Sequence, residues 1–165
     1  MAHCPSSNLK LASGFAPVAR LKAKGVNVGV GTDGAASNNR LDVFMEMRTA
    51  ALVAKAVAGD AAAVTAAEAL RMVTLDAARA MGLEREIGSI APGKRADLAA
   101  VEVSSVETLP CFDPVSHLVY AAGRENVTHV WVGGAPRLIG RKLSGIDETD
   151  LREKARWWQR KLTTA

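Results

Sequence analysis

The sequence is poor in the residues that mark several classes of protein. Its two cysteines, Cys4 and Cys111, are too few and too far apart for a disulfide scaffold, and they form no CxxC pair of the kind that binds zinc through sulfur. No apolar run approaches the ~20 residues that span a bilayer, and the first residues lack a basic segment followed by an apolar one. These absences predict free thiols in a reducing cytoplasm, with no membrane span and no secretory signal.

Over most of the chain, neither positive nor negative charge is in excess. The formal net charge is +4, and the whole excess falls after residue 136, where basic and acidic residues are mixed at helical spacing. Only 4% of the residues are aromatic, so the dense basic face with stacking rings that nucleic-acid binding requires is missing. The basic tail is typical of a solvated helix face, and we predict no nucleic-acid partner.

The sequence begins with a strand–helix–strand pattern. Residues 1–5 predict the end of a strand that runs into a loop, and residues 16–25 predict a helix with Pro17 in its first turn and Gly25 at its end. Residues 26–33, VNVGVGTD, read as a second strand. This order predicts two parallel strands joined by a crossover.

Two longer helices are predicted after the second strand. One spans about residues 41–57. The other spans 66–81, because Thr65 and Glu68 have the spacing of a capping box and Gly82 suits a helix stop.

Beyond residue 82 the sequence changes to short apolar runs separated by turns. We predict a strand over about 97–103 and a hairpin over 127–140, centred on the pair Gly133-Gly134. The last element is an amphipathic helix near 148–163. Its apolar stripe consists of Leu151, Ala155, Trp158 and Leu162.

Asp33 is the candidate functional residue. It closes the second strand inside a turn of Gly, Ser and Asn, and the C-terminal ends of parallel strands are where α/β proteins gather their chemistry. A carboxylate there can bind a divalent metal or act as a general base for a metal-bound water. It can equally cap the following turn, as Asp often does. The residues alone leave both roles open.

Four motifs, taken in order, resemble the C-terminal portion of the amidohydrolase superfamily. They are HCPSSNLKLASGFAPV, GVNVGVGTDGAASNNRLDVFMEMR, EALRMVTLDAARAMGL and GSIAPGKRADLAAVE. The resemblance is strongest to the 5-methylthioadenosine/S-adenosylhomocysteine deaminases and their chlorohydrolase relatives. It implies an α/β fold, with residues 1–86 as the last part of a (β/α)8 metallo-dependent hydrolase barrel. It also implies that residues 87–140 are part of a small β-sandwich and that 141–165 form a C-terminal amphipathic helix.

The resemblance also implies roles for the site. Asp33 would bind a divalent metal, usually zinc in this family, and shuttle protons while an adenine nucleoside thioether loses its exocyclic amine. His3, Asn8 and Ser37 would lie near the site and could contact the substrate. Each could instead be structural: His3 as a packed, hydrogen-bonded ring, and Ser37 as part of the loop that aims Asp33. A triazine chlorohydrolase or a guanine deaminase-like hydrolase is the alternative within the superfamily.

The family's other metal ligands are missing from this sequence. The family uses an H-x-H pair and two further histidines, whereas His3, His117 and His129 form no such pair. The last two fall in the β-rich part and are expected to be structural. We therefore expect a piece of an enzyme, inactive alone, that forms a homo-oligomer or associates with the missing N-terminal half. A non-catalytic piece or split subunit that acts only with a partner chain is the second alternative.

Overall fold

The computed structural model describes residues 1–163, which form a helix-rich α/β unit, a small antiparallel sheet and a final helix. The helices are α1 (Pro5–Lys10), α2 (Val18–Ala23), α3 (Val43–Ala58), α4 (Ala66–Val73), α5 (Leu75–Ala80), α6 (Pro114–Tyr120) and α7 (Glu148–Thr163). The strands are β1 (Ala2–His3), β2 (Gly29–Val30), β3 (Leu98–Val101), β4 (Val127–Val132), β5 (Ala135–Ile139) and β6 (Lys142–Leu143). Within the described range, no helix combines the length and apolar character needed to cross a bilayer.

Two short parallel strands position the candidate site. β1 pairs with β2 so that Ala2 lies beside Gly29 and His3 beside Val30. The predicted parallel pairing is therefore confirmed, although each strand has only two residues. Because parallel strands end at the same edge, α1, which follows β1, lies next to the loop that follows β2.

The hydrophobic core lies between this strand pair and the helices that surround it. Its buried members come from α2, from β2 and its approach, from α3 and α4, and from α6; they include Val18, Val28, Val30, Met47, Met72 and Val119. Burying one such side chain stabilises the fold by roughly 1.5–3 kcal/mol. The core thus packs β2, which leads to Asp33, against α3.

α3 is defined by its own sequence. The Asp42 carboxylate accepts a hydrogen bond from the Met45 N–H at 3.2 Å, and Gly59 ends the helix in a left-handed conformation, φ 64°. Its buried residues recur at helical spacing, so one face packs on the core. They are Glu46, Met47, Ala50, Ala51 and Ala54, and Glu46 is the polar exception.

The segment after β1 is a helix, α1, so the predicted loop is wrong. Pro5 lies in its first turn, where a missing N–H costs nothing. The next free backbone N–H, that of Ser6, donates to Glu46 Oε2 at 3.1 Å. This partner lies 40 residues away, so the local sequence does not reveal the start of the helix.

The single helix predicted over 66–81 is two helices. The capping box of Thr65 and Glu68 is present as predicted. The helix breaks at Thr74, which has φ −121° and ψ −98°. Gly88 crosses close to this break, since a Cβ there would lie 3.0 Å from the Thr74 carbonyl oxygen and 2.7 Å from Ala78 Cβ.

The β-rich part is a four-stranded antiparallel sheet in the order β3-β4-β5-β6. The predicted hairpin is confirmed: Gly133 and Gly134 both have positive φ, 58° and 78°, as a type I′ turn requires. The sheet contains His129 but not His117, which lies in α6. The placement of His117 in a β-rich segment is therefore wrong.

α6 was not predicted, and it connects this part to the α/β unit. Arg48 of α3 donates from Nε to the Val119 carbonyl at 3.0 Å and from Nη2 to the Ala122 carbonyl at 2.6 Å. The Val119 carbonyl is one of the last in α6, which lack partners inside the helix, and Ala122 lies two residues beyond the helix end. Arg48, which is distant in the sequence, therefore caps the C-terminal end of α6.

α7 has the predicted limits, and it contains two i,i+4 ion pairs, Arg152 with Glu148 and Lys154 with Asp150. However, no residue of α7 is buried. The predicted apolar stripe, which includes Trp158, is therefore exposed. Trp157 and Trp158 are 48% and 52% exposed and contact each other edge to face.

Candidate active site

Asp33 lies just beyond β2 in a left-handed backbone conformation, with φ 62°. Few residues other than glycine adopt this conformation, and Asp is among those enriched there. The chain therefore turns sharply at the strand end, and the Asp33 side chain is exposed at its edge.

Three donors hold the Asp33 carboxylate. Ser7 Oγ donates to Oδ2 at 2.7 Å, and Ser37 Oγ donates to the same oxygen at 2.9 Å. The Gly34 N–H donates to Oδ1 at 2.8 Å. The carboxylate is thus fixed by α1 on one side and by its own loop on the other.

These donors keep Asp33 ionised. The Ser7 hydroxyl, the Gly34 N–H and the Ser37 hydroxyl lower the pKa of Asp33 below its ordinary value, in that order of effect. An ionised, exposed carboxylate is a hard oxygen ligand for a cation and can accept a proton. The geometry therefore suits both functional roles that the sequence suggested for Asp33, metal ligand and general base.

A buried polar network lies beneath the Asp33 turn. The Asn38 amide donates to the Thr32 carbonyl at 2.9 Å and to Glu46 Oε1 at 2.8 Å. Glu46 is fully buried, and Asn38 is nearly so. The two residues join the turn to α3.

Lys10 holds the same loop from the solvent side. Its Nζ donates to the Ala36 carbonyl and to Asn39 Oδ1, both at 2.8 Å. The last residue of α1 therefore closes over the loop that carries Asp33, Ser37 and Asn38.

The three predicted substrate contacts, His3, Asn8 and Ser37, differ in their distance from Asp33 and in their burial. Ser37 touches Asp33, as described above. Asn8 is partly exposed on α1, next to Ser7. His3 is buried, and neither of its ring nitrogens has a hydrogen-bond partner within residues 1–163. His3 is therefore packed as expected, but the prediction that its ring is hydrogen-bonded is wrong.

The charged neighbour that affects the pKa of His3 is Glu46 rather than Asp33. Burial lowers the pKa of His3, and the Glu46 carboxylate opposes this effect.

Cys4 follows His3 and lies closer to the site. Burial, with the negative charges of Asp33 and Glu46, raises the pKa of the Cys4 thiol. A protonated thiol is a poor nucleophile and a poor metal ligand.

Sequence reasoning missed two residues of this arrangement, Ser7 and Glu46. Ser7 falls in the segment that was predicted as a loop, because α1 was not recognised. Glu46 did leave a signal: it is the one charged residue on the apolar stripe of α3. A carboxylate at such a place requires buried partners.

The described residues do not make a whole metal site. Among residues 1–163 there is no group of three or more His, Cys, Asp or Glu side chains that could hold a metal ion. Zinc takes three or four protein ligands. Asp33 fits the part of a single ligand, because it is ionised, exposed and already oriented, and further ligands are needed.

Curated relatives match almost the whole chain. The 5-methylthioadenosine/S-adenosylhomocysteine deaminase of Teredinibacter turnerae is 48% identical over 160 residues, which are 97% of this chain and 36% of the relative. That of Moorella thermoacetica is 49% identical over 151 residues, 92% of this chain and 35% of the relative. The chain therefore spans little more than a third of the length of these relatives.

Solved structures agree with these matches. A zinc-bound adenosine deaminase from Xanthomonas campestris superposes with a TM-score of 0.97 at 52% identity, covering 99% of this chain and 37% of that one. A zinc complex of atrazine chlorohydrolase from Arthrobacter aurescens gives 0.86 at 26% identity, covering 93% and 34%. The amidohydrolase family model matches residues 1–136. The chain belongs to the amidohydrolase family.

Proposed function

We propose that this chain supplies the final catalytic carboxylate of a metal-dependent aminohydrolase. The observation that carries the proposal is Asp33, held ionised by three donors at the end of a parallel strand. The substrate class would be adenine nucleosides of the 5-methylthioadenosine/S-adenosylhomocysteine type. Relatives of that name at 48% and 49% identity support this choice.

In this proposal the two parallel strands and their helices are the last part of a (β/α)8 barrel. The sheet β3-β4-β5-β6 is the C-terminal share of a β-sandwich. The limits 1–86, 87–140 and 141–165 follow from that arrangement. The TM-score of 0.97 to the Xanthomonas campestris deaminase supports it.

Asp33 would hold a divalent metal, zinc by similarity, together with ligands from the portion of the relatives' length that this chain does not span. A bound metal of this kind lowers the pKa of a coordinated water to about 7. Asp33 would accept a proton from the water that adds to the amine-bearing carbon and return it to the departing ammonia. Oδ1 suits this transfer, because it accepts one hydrogen bond whereas Oδ2 accepts two.

Asn8 and Ser37 are the better candidates for substrate contact, because both lie beside the Asp33 carboxylate or its donors. His3 is the weaker candidate, since it is buried. A cytoplasmic location stays a prediction; both cysteines are free, as expected for a reducing compartment.

The related reactions are less well supported. Atrazine chlorohydrolase is 26% identical and an Escherichia coli guanine deaminase 27% identical, against 52% for the adenosine deaminase. Association with a complementary chain, or between copies, is favoured by a different feature: β1 and β2 form a two-stranded sheet with unpaired edges.

A hybrid enzyme tests the proposal. These 165 residues would replace the matching segment of the Xanthomonas campestris deaminase, and ammonia release from 5-methylthioadenosine would be measured with zinc content. We expect turnover in the hybrid. Asp33→Asn should lower kcat by about 100-fold to 10,000-fold, the usual worth of a general acid–base group.

The matched control is Asp60→Asn, which changes an exposed aspartate in the loop after α3 and should leave kcat unchanged. A folded, zinc-loaded hybrid whose turnover survives Asp33→Asn would contradict the proposal. Turnover of guanine or a chlorotriazine in preference to 5-methylthioadenosine would instead assign a different substrate.

A further inference from the structure

We infer that Glu46 is a positioning residue that sets the geometry of Asp33. Glu46 has no exposed surface, and every other buried residue of α3 is apolar. A buried carboxylate is costly unless its oxygens are hydrogen-bonded. Its place on this face therefore requires partners, and those partners lead to the active site.

The two oxygens of Glu46 reach both segments that build the site. Oε1 accepts from Asn38 Nδ2 at 2.8 Å, and the same amide group donates to the Thr32 carbonyl at 2.9 Å. Oε2 accepts from the Ser6 N–H at 3.1 Å. One buried side chain thus joins the turn after β2 to the first turn of α1.

Each of these contacts is one residue from a group that defines the site. Thr32 precedes Asp33, so the Asn38 amide fixes the turn that aims the carboxylate. Ser6 precedes Ser7, whose hydroxyl donates to Asp33 Oδ2 at 2.7 Å. Glu46 therefore acts through these neighbours. Its catalytic meaning rests on the proposed function, because the position of Asp33 matters for turnover only if Asp33 is catalytic.

The Gly34 amide proton, which donates to Asp33 Oδ1 at 2.8 Å, reports on this geometry in the chain itself. In Glu46→Ala we expect that proton to exchange with water about tenfold faster, the loss expected for one hydrogen bond to a charged group. Its NMR signal should also move upfield. The control is Met72→Ala, which empties a buried site on α4 and should leave the Gly34 signal and exchange rate unchanged.

Two milder variants keep the test decisive if Glu46→Ala does not fold. Asn38→Ala removes the contact to the turn and should accelerate Gly34 exchange as Glu46→Ala does. Glu46→Gln keeps an oxygen for Asn38 but loses the acceptor for the Ser6 N–H. Its Gly34 signal should therefore lie between those of the wild type and Asn38→Ala.

An unchanged Gly34 signal in Asn38→Ala and Glu46→Gln would overturn the inference. So would an equal change in Met72→Ala, because Glu46 would then affect only the general stability of the fold. These measurements need neither metal nor substrate. A failure of the proposed function is read separately, from the turnover of the Asp33→Asn hybrid.

Discussion

At the scale of single residues, the site depends on which donors surround one carboxylate. Asp33 is exposed, so burial does little to it, and its chemistry is set by Ser7, Ser37 and Gly34. Ser7 is itself buried, which limits its rotation and makes it the most constrained of the three. The sequence predicted Asp33 and Ser37 as candidates, but the position of Ser7 depends on a helix that local patterns did not reveal.

Ser7→Ala should raise the pKa of Asp33, and it should do so more than Ser37→Ala. The reason is that the Ser7 hydroxyl contributes most to lowering that pKa in the folded chain. The measurement is a carboxyl-carbon NMR titration. Ser104→Ala is the control: Ser104 lowers the pKa of Glu102, so this variant should raise the pKa of Glu102 and leave that of Asp33 unchanged.

The same shift gives the sign of a stability effect. The folded-state pKa of Asp33 lies below its ordinary value, so ionised Asp33 favours folding above the unfolded-state pKa. That contribution is lost as the pH falls through the folded-state pKa. In Ser7→Ala the folded-state pKa lies closer to the unfolded-state pKa, so this contribution should be smaller and its loss should be complete at a higher pH. An Asp33 titration that is identical in wild type and Ser7→Ala would contradict the hydrogen bond.

At the scale of elements, prediction from sequence succeeds where an element carries its own end signals. α3 has its Asp42 cap and Gly59 stop, and α4 has its capping box. It fails where the partner is distant in the chain. The start of α1 is held by Glu46, and the end of α6 by Arg48, which is 71 and 74 residues from the carbonyls that it binds. No local pattern encodes such contacts.

A close approach between elements gives the next prediction. A Cβ at Gly29 of β2 would lie 2.8 Å from the Cα of Ala77 in α5. Gly29→Ala should therefore destabilise the fold by about 1–3 kcal/mol, the usual cost of overpacking. Urea unfolding followed by far-ultraviolet circular dichroism measures this.

Gly34→Ala is the matched control, since a Cβ there meets nothing within 4 Å. It should change the free energy of unfolding by no more than about 0.5 kcal/mol, as is usual at exposed sites. Equal stability of the two variants would mean that β2 and α5 are not packed as described.

At the scale of the whole molecule, the α/β unit and the sheet are joined near the site. Arg124, three residues before β4, donates from Nη1 to the Arg40 carbonyl at 3.2 Å, and its Nε lies 4.0 Å from Asp42 Oδ2. α7 differs, because it buries nothing. The amphipathic pattern of α7 was recognised correctly, but the pattern does not say which surface, if any, receives the apolar stripe.

Deletion of residues 148–165 should leave the Tm of the remaining chain within about 2 °C of the full-length value, because a helix without buried side chains contributes little to the core. Thermal unfolding by circular dichroism checks this, with the deletion compared at equal molar concentration. A fall of many degrees would show that the stripe of α7 is covered in solution, by the body of the protein or by another copy.

The distribution of aromatic rings has a practical consequence for optical spectroscopy. All three tryptophans lie after residue 86: Trp131 stacks on His129 in β4, and the other two contact each other on α7. Intrinsic fluorescence excited at the indole band therefore reports on the sheet and the final helix. Loosening of the turn around Asp33 would pass unseen by that emission, and a tryptophan introduced near the turn would be needed to make it visible.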